Sequence, residues 1–229
     1  MRKQNSEIYI NTGIIHKQHF TLLAKSILIL TAYFIFSTST ALAQTTRADM
    51  DVLVEMMEHR KEEPTEFFQQ MSNSVNYVSI LVPVSVLATG YARSEKITVQ
   101  KGWYMAATLA TSSLVTLGLK YSIRRTRPFK TDPYLVAAGS GGSPSFPSGH
   151  TSEAFATATS LTLAWPKWWV AIPAYAWAGT VGYSRMYLGV HYPTDVMAGA
   201  IVGTASAWLM YKANQWLHHH KTDKVQPAL

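Results

Sequence analysis

Three short stretches of this chain hold most of the residues that could carry chemistry. The first runs from Lys120 to Arg127-Pro128. The second is Ser145 to His150, ending in Pro147-Ser148-Gly149-His150. The third runs from Ser184-Arg185 through His191 to Asp195. Lys120, Arg127 and Arg185 supply three cations. Two are guanidinium groups, whose planar fork grips two oxygens at once, and the third is a compact ammonium point charge; the mixture suits a tetrahedral oxyanion such as phosphate. Ser148 and Gly149 add a hydroxyl and backbone N–H groups. Because Gly149-His150 opens an apolar stretch that reads as a helix, these donors are expected at a helix N-terminus, where the dipole also favours an anion.

Two histidines and a carboxylate complete the set. His191 lies four residues before Asp195, and Pro193 between them fits the first turn of a helix, so the carboxylate is expected to reach back to one imidazole nitrogen. That bond would fix the tautomer and leave the other nitrogen as a free lone pair, the state a nucleophilic histidine requires. His150 then stands ready to protonate a leaving oxygen and later to take a proton from water.

Taken singly, each stretch has an ordinary explanation. Lys120, Arg124, Arg125, Arg127 and Lys130 beside an apolar segment read as a lipid-headgroup or topology signal. Gly139 to Ser148 has turn composition and ends in an N-cap, and His191 to Asp195 reads as a helix entry with a packed histidine. Separate explanations do not account for a complete phosphate-handling set in one chain. Arg124, Arg125 and Lys130 fall outside the pattern and are read as surface or headgroup contacts.

The order and separations of the three stretches resemble the type 2 phosphatidic acid phosphatase family, which shares its site with vanadium haloperoxidases. The resemblance covers roughly residues 75 to 212 of this chain. It implies an all-helical membrane bundle of five or six helices with a phosphatase core. It also implies a phosphohistidine on His191, with His150 as general acid and then base and Asp195 as its catalytic partner. Phosphate would be held by Lys120, Arg127, Ser148, Gly149 and Arg185, with no metal and no cofactor. Tyr187 to Asp195 looks more like the membrane branch of that family than its soluble secreted acid phosphatases. The implied substrate is a phosphorylated lipid: phosphatidic acid, phosphatidylglycerol phosphate, polyprenyl pyrophosphate or a lipid A type. Two alternatives use the same residues, a soluble exported acid phosphatase and a vanadate-dependent haloperoxidase.

The elements that must position these residues are apolar. Of the 229 residues, 48% are hydrophobic and only 14% charged, which favours a membrane class. Mean hydropathy is only +0.02, so polar stretches must dilute several apolar ones. Apolar runs lie at Ser26 to Ala43, Val75 to Ala92, Trp103 to Leu119, Ala154 to Trp165, Trp168 to Tyr183 and Val196 to Tyr211. Several are shorter than the roughly 20 residues that a bilayer span wants. Pro166-Lys167 is so short a connection that its flanking helices must be antiparallel neighbours. Gly199 and Gly203 share one helix face, a spacing that permits close helix approach.

Topology offers an internal check. With residues 1 to 25 inside, all three motifs emerge on the outer, periplasmic side of a bacterial-type inner membrane, and Lys96, Lys101, Lys167 and Lys212 fall inside, as the positive-inside tendency expects. Trp103, Trp165, Trp168, Trp169 and Trp216 then gather near the inner interface. Residues 1 to 43 read as a signal peptide ending at Ala41-Leu42-Ala43 or as a first transmembrane helix, and both options export the chain from Gln44 onwards. Residues 44 to 74 read as an exported amphipathic segment, lying on the membrane or packed on the core. Residues 75 to 212 form the membrane core, and 213 to 229 a cytoplasmic tail in which His218 to His220 are read as solvated. The net charge of +7 fits anionic lipid. No nucleic-acid partner is expected, because many of the basic residues border apolar segments.

Overall fold

The computed structural model of the chain describes residues 47–222. Among the described residues there are seven helices and no strands. They are α1 (Arg47–Glu58), α2 (Glu62–Ala92), α3 (Lys96–Ile123), the single turn α4 (Pro128–Thr131), α5 (Gly149–Ala164), α6 (Trp168–Tyr187) and α7 (Pro193–Thr222). The all-helical bundle expected from sequence is therefore observed. The run Ser26 to Ala43, with its signal-peptide reading, lies outside the described residues.

The five long helices follow the five remaining apolar runs, but the backbone outlasts most of them. Breakers set the ends. After Ile123 the chain turns through Arg124, a left-handed residue (φ 55°) whose N–H bonds Lys120 O at 2.9 Å. Arg127 is then extended ahead of Pro128. Between α6 and α7 the chain reverses at Gly189, where φ is +69° and a side chain would be strained. Pro193 then opens the last helix at its first position.

α5 is the central helix and packs on α7, α6 and α3. Its buried residues are small: Thr151, Ser152, Ala154, Ala156, Thr157, Ala158, Thr159, Ser160 and Ala164. α7 meets it through glycine, since a Cβ on Gly199 would stand 2.6 Å from Ser148 O and one on Gly203 would collide with Ser152 O. Large apolar side chains point the other way: Ile80, Leu81, Leu114, Ile172, Ile201 and Leu209 are all exposed. Small residues inside and bulky ones outside reverse the soluble pattern and match helices that approach closely in lipid. By length and composition one segment among the described residues, Pro64–Ala92, suffices to cross a bilayer.

The stretch 44 to 74 is not one element. α1 stops at Glu58, and residues from Glu62 onward already belong to α2. α1 lies against α6 and α7, burying Asp49 and Leu53. Phe68 stacks on Tyr187, with ring centroids 4.5 Å apart, and so ties the start of α2 to the end of α6.

Antiparallel packing brings the C-terminal ends of α3 and α6 and the N-terminal ends of α5 and α7 to one end of the bundle. The opposite end holds Tyr104, Met105 and Ala164 with Val82, Leu161 and Met210 around them. Lys101 sits 4.4 Å from the Trp165 ring there, and Lys212 sits 5.5 Å from that of Trp208. Trp103, Trp168, Trp169 and Trp216 are exposed.

Candidate active site

His191 lies in the turn between α6 and α7, and Asp195 in the first turn of α7; both are buried. Asp195 Oδ2 stands 3.3 Å from His191 Nδ1. On the other side of the ring, Arg127 Nη1 lies 3.3 Å from Nε2. A carboxylate can only accept and a guanidinium can only donate, so the two partners together fix the tautomer: Nδ1 carries the hydrogen and Nε2 the lone pair. Burial pushes the imidazole down to about 3, more than the Asp195 carboxylate can restore, and Arg185 and Arg127 push the same way. His191 is thus neutral at neutral pH.

Asp195 is itself held firmly. Its Oδ2 also accepts from Tyr192 N at 3.0 Å and from Ser145 Oγ. The bond to Tyr192 N satisfies the donor just before the helix, as the acidic member of a capping box does.

The cations come from three elements. Lys120 lies in the last turn of α3, is buried, and donates from Nζ to Pro144 O at 2.7 Å. Arg127 donates from Nε to Ser143 O at 2.8 Å and from Nη1 to Val190 O at 3.0 Å. Burial lowers its basicity, with Asp195 opposing, yet a guanidinium remains a cation. Gly141 lies against the Arg127 guanidinium, where a Cβ would collide with it. Arg185, in the last turn of α6, donates to Ser72 Oγ of α2, and its buried Nε has no hydrogen-bond partner among the described residues.

Lys120, Arg127, Gly149, His150, Arg185 and His191 line one cavity of about 310 Å³. Glu153, one turn along α5 from His150, and Asn76 of α2 also face it. His150 and Arg185 border a second cavity of about 220 Å³, whose further walls include Gln69, Ser72, Asn73 and Ser140. His150 therefore stands between a cation-lined chamber and a polar annex. Ser148 faces neither. Its N–H donates to Asp195 O at 3.0 Å and its Oγ accepts from Thr151 Oγ1 at 2.9 Å, so in this arrangement it ties α5 to α7. The peptide Phe146-Pro147 is cis.

One sequence reading needs correction. Arg124 and Lys130 are exposed, but Arg125, grouped with them as a surface or headgroup contact, is buried. The left-handed turn at Arg124 reverses the chain and sends the next side chain inward. There Arg125 pairs with Asp195 Oδ1 at 2.6 Å and with Asp49 Oδ2 at 2.7 Å. Asp49, on α1, was not singled out from sequence at all; its sole local signal is an acid in the first turn of a short helix.

A helical bundle with a buried His–Asp pair facing a three-cation chamber defines a class of oxyanion-handling proteins. The chain belongs to the PAP2 superfamily, whose family model matches residues 101–219. It is 40% identical over 93 residues to a lipid A 4'-phosphatase of Bacteroides thetaiotaomicron, covering 41% of this chain and 40% of the relative. It is 32% identical over 142 residues to an undecaprenyl-diphosphatase of Sulfolobus acidocaldarius, covering 59% of this chain and 63% of the relative. The aligned segments span less than two thirds of the length of both relatives. Among solved structures it is similar to a transmembrane PAP2-type phosphatidylglycerolphosphate phosphatase from Bacillus subtilis. The TM-score is 0.68 at 25% identity, covering 81% of this chain and 95% of that one.

Proposed function

We propose that this protein is a membrane lipid phosphatase that removes phosphate from a lipid headgroup through a phosphohistidine on His191. The observation that carries the reading is the orientation of His191: Nδ1 is held by Asp195, while Nε2 faces the chamber formed with Lys120, Arg127, Arg185 and His150. At rest Arg127 donates to Nε2; an arriving phosphate competes for that donor and frees the lone pair.

The chemistry then balances in two steps. Nε2 attacks phosphorus, the bond from phosphorus to the leaving oxygen breaks, and His150 gives that oxygen its proton. In the second step water attacks phosphorus and gives a proton to His150, and the P–N pair returns to Nε2 as inorganic phosphate departs. Asp195 supports the positive charge that His191 gains in between. Lys120, Arg127, Arg185 and the N–H of Gly149 offset the charge on the transferring oxygens.

The exposed apolar belt around α2, α3, α6 and α7 supports a bilayer setting, and the Lys–Trp pairs at the far end support placing that end at the cytoplasmic interface. The motif end then lies on the outer face, with residues 1 to 43 serving as export signal or first span. The names of the relatives narrow the substrate to a lipid phosphate or diphosphate without choosing one. The test is phosphate release by detergent-purified protein from a panel of lipid phosphates and one small soluble ester. Release from a lipid supports the reading; release chiefly from the soluble ester replaces it with that of a secreted acid phosphatase.

A further inference from the structure

We infer that Arg125 and Asp49 form a buried brace that positions His191 through Asp195, which makes α1 a working part of the phosphoryl-transfer site. The inference rests on the phosphatase reading for its kinetic test but on geometry for its argument. Asp49 stands well ahead of the segment 101–219 that defines the family, so nothing in that match assigns it a task.

The two oxygens of Asp195 face different partners. Oδ2 takes the donors from His191, Tyr192 and Ser145, and Oδ1 takes Arg125 Nη1 at 2.6 Å. The contact to His191 Nδ1 is 3.3 Å, longer than the usual hydrogen bond, so a small rotation of the carboxyl decides whether the imidazole stays oriented. A cation on Oδ1 resists that rotation, provided the cation itself cannot move.

Arg125 is held on three sides. Its Nη2 bonds Asp49 Oδ2 at 2.7 Å, its Nη1 also reaches Thr194 Oγ1 at 2.7 Å, and its guanidinium lies 3.9 Å from the centre of the Tyr192 ring. Asp49 grips α7 directly as well. It accepts from Thr194 N at 3.2 Å and from Thr194 Oγ1 at 2.6 Å, so an anion from α1 sits at the start of the helix that carries Asp195. Asp49, Arg125 and Asp195 thus alternate in charge across three elements, all of them excluded from water. Such a chain is orienting when complete and costly when one member is removed.

Neither residue touches the chamber, so both are positioning residues. The test uses the full chain in detergent, with Asp49→Asn, Arg125→Lys and Arg125→Gln, each checked for folding. Kinetics on the lipid phosphate that the wild type hydrolyses are combined with 15N NMR of the histidine rings, His191 being assigned by its loss in His191→Gln. For Asp49→Asn and Arg125→Gln, kcat is expected to fall about 10- to 100-fold, the scale seen when an outer partner of a functional histidine is lost, with KM changing less than about threefold. Arg125→Lys should keep more activity than Arg125→Gln. The His191 Nδ1–H signature should give way to an averaged tautomer. Folded variants with wild-type kcat and an unchanged His191 signal would overturn the brace, as would losses that merely track the amount of folded protein. If the wild type releases phosphate from no lipid, the substrate reading fails, and the ring-nitrogen signal still decides the brace.

Discussion

At the motif end of the bundle Lys120, Arg125, Arg127, Arg185, Asp49, Asp195 and His191 are buried among apolar residues such as Phe146, Val190 and Tyr192. At the opposite end a cluster of Tyr104, Met105 and Ala164 packs among large apolar neighbours, with Lys101 beside the half-buried Trp165 ring and Lys212 beside the exposed Trp208 ring. The first end trades stability for a preorganised field, because each buried charge must be matched by a partner before it costs less than water would. The second is held by burial and shape. Substitutions of the chamber-lining cations should therefore change turnover far more than the fold, those in the buried Asp49–Arg125–Asp195 chain should lower both, and those at the far end should act on the fold alone.

Several measurements probe that division. Arg127→Ala should lower kcat/KM by about 10²- to 10³-fold, roughly 3 to 4 kcal/mol of transition-state stabilisation, measured by initial rates on the lipid substrate. Gly203→Leu belongs to neither end. It forces a side chain into Ser152 O and the Ala156 backbone, so it should cost about 1 to 3 kcal/mol in chemical unfolding and reduce activity only through lost protein.

Tyr104→Phe removes the hydroxyl that donates to Ala207 O at 3.1 Å. It should cost about 1 kcal/mol in thermal unfolding with turnover unchanged, since the bond is buried and remote from the chamber.

The pH response has a defined sign. His191 is held near 3 against an ordinary value of 6.5, so the unfolded chain takes up a proton that the folded chain refuses. Stability tied to this residue is fully present above about 6.5 and is lost as pH falls toward 3. Thermal unfolding of wild type and His191→Gln across that window should show the wild type losing ground relative to the variant.

The sequence made the two ends unequally legible. His191, Asp195, Arg127 and His150 could be named because phosphoryl transfer requires particular residue types at close spacing, and spacing survives without a fold. Arg125 could not be told from Arg124 or Lys130, because three cations in one basic stretch differ only in which way a left-handed turn sends them. Asp49 reaches the site through tertiary packing alone, which no local pattern encodes. Ser148 carries two bonds that no local pattern encodes: its Oγ accepts from Thr151 Oγ1 and its N–H donates to Asp195 O, which leaves the hydroxyl's own hydrogen to donate. Hydropathy located the long helices but not their ends. The ladder of α3 continues past Leu119 to Ile123 and stops where the turn at Arg124 forces it to, not where apolar character fades.

The most direct measurement is rapid quenching of the enzyme during turnover of a lipid substrate labelled in its scissile phosphate, followed by mapping of bound label. An acid-labile phosphoryl group on His191, formed and discharged at rates compatible with kcat and absent in an inactive His191→Ala protein, is the expected result. Sustained phosphate release by His191→Ala, or label recovered on a different residue, would contradict the mechanism.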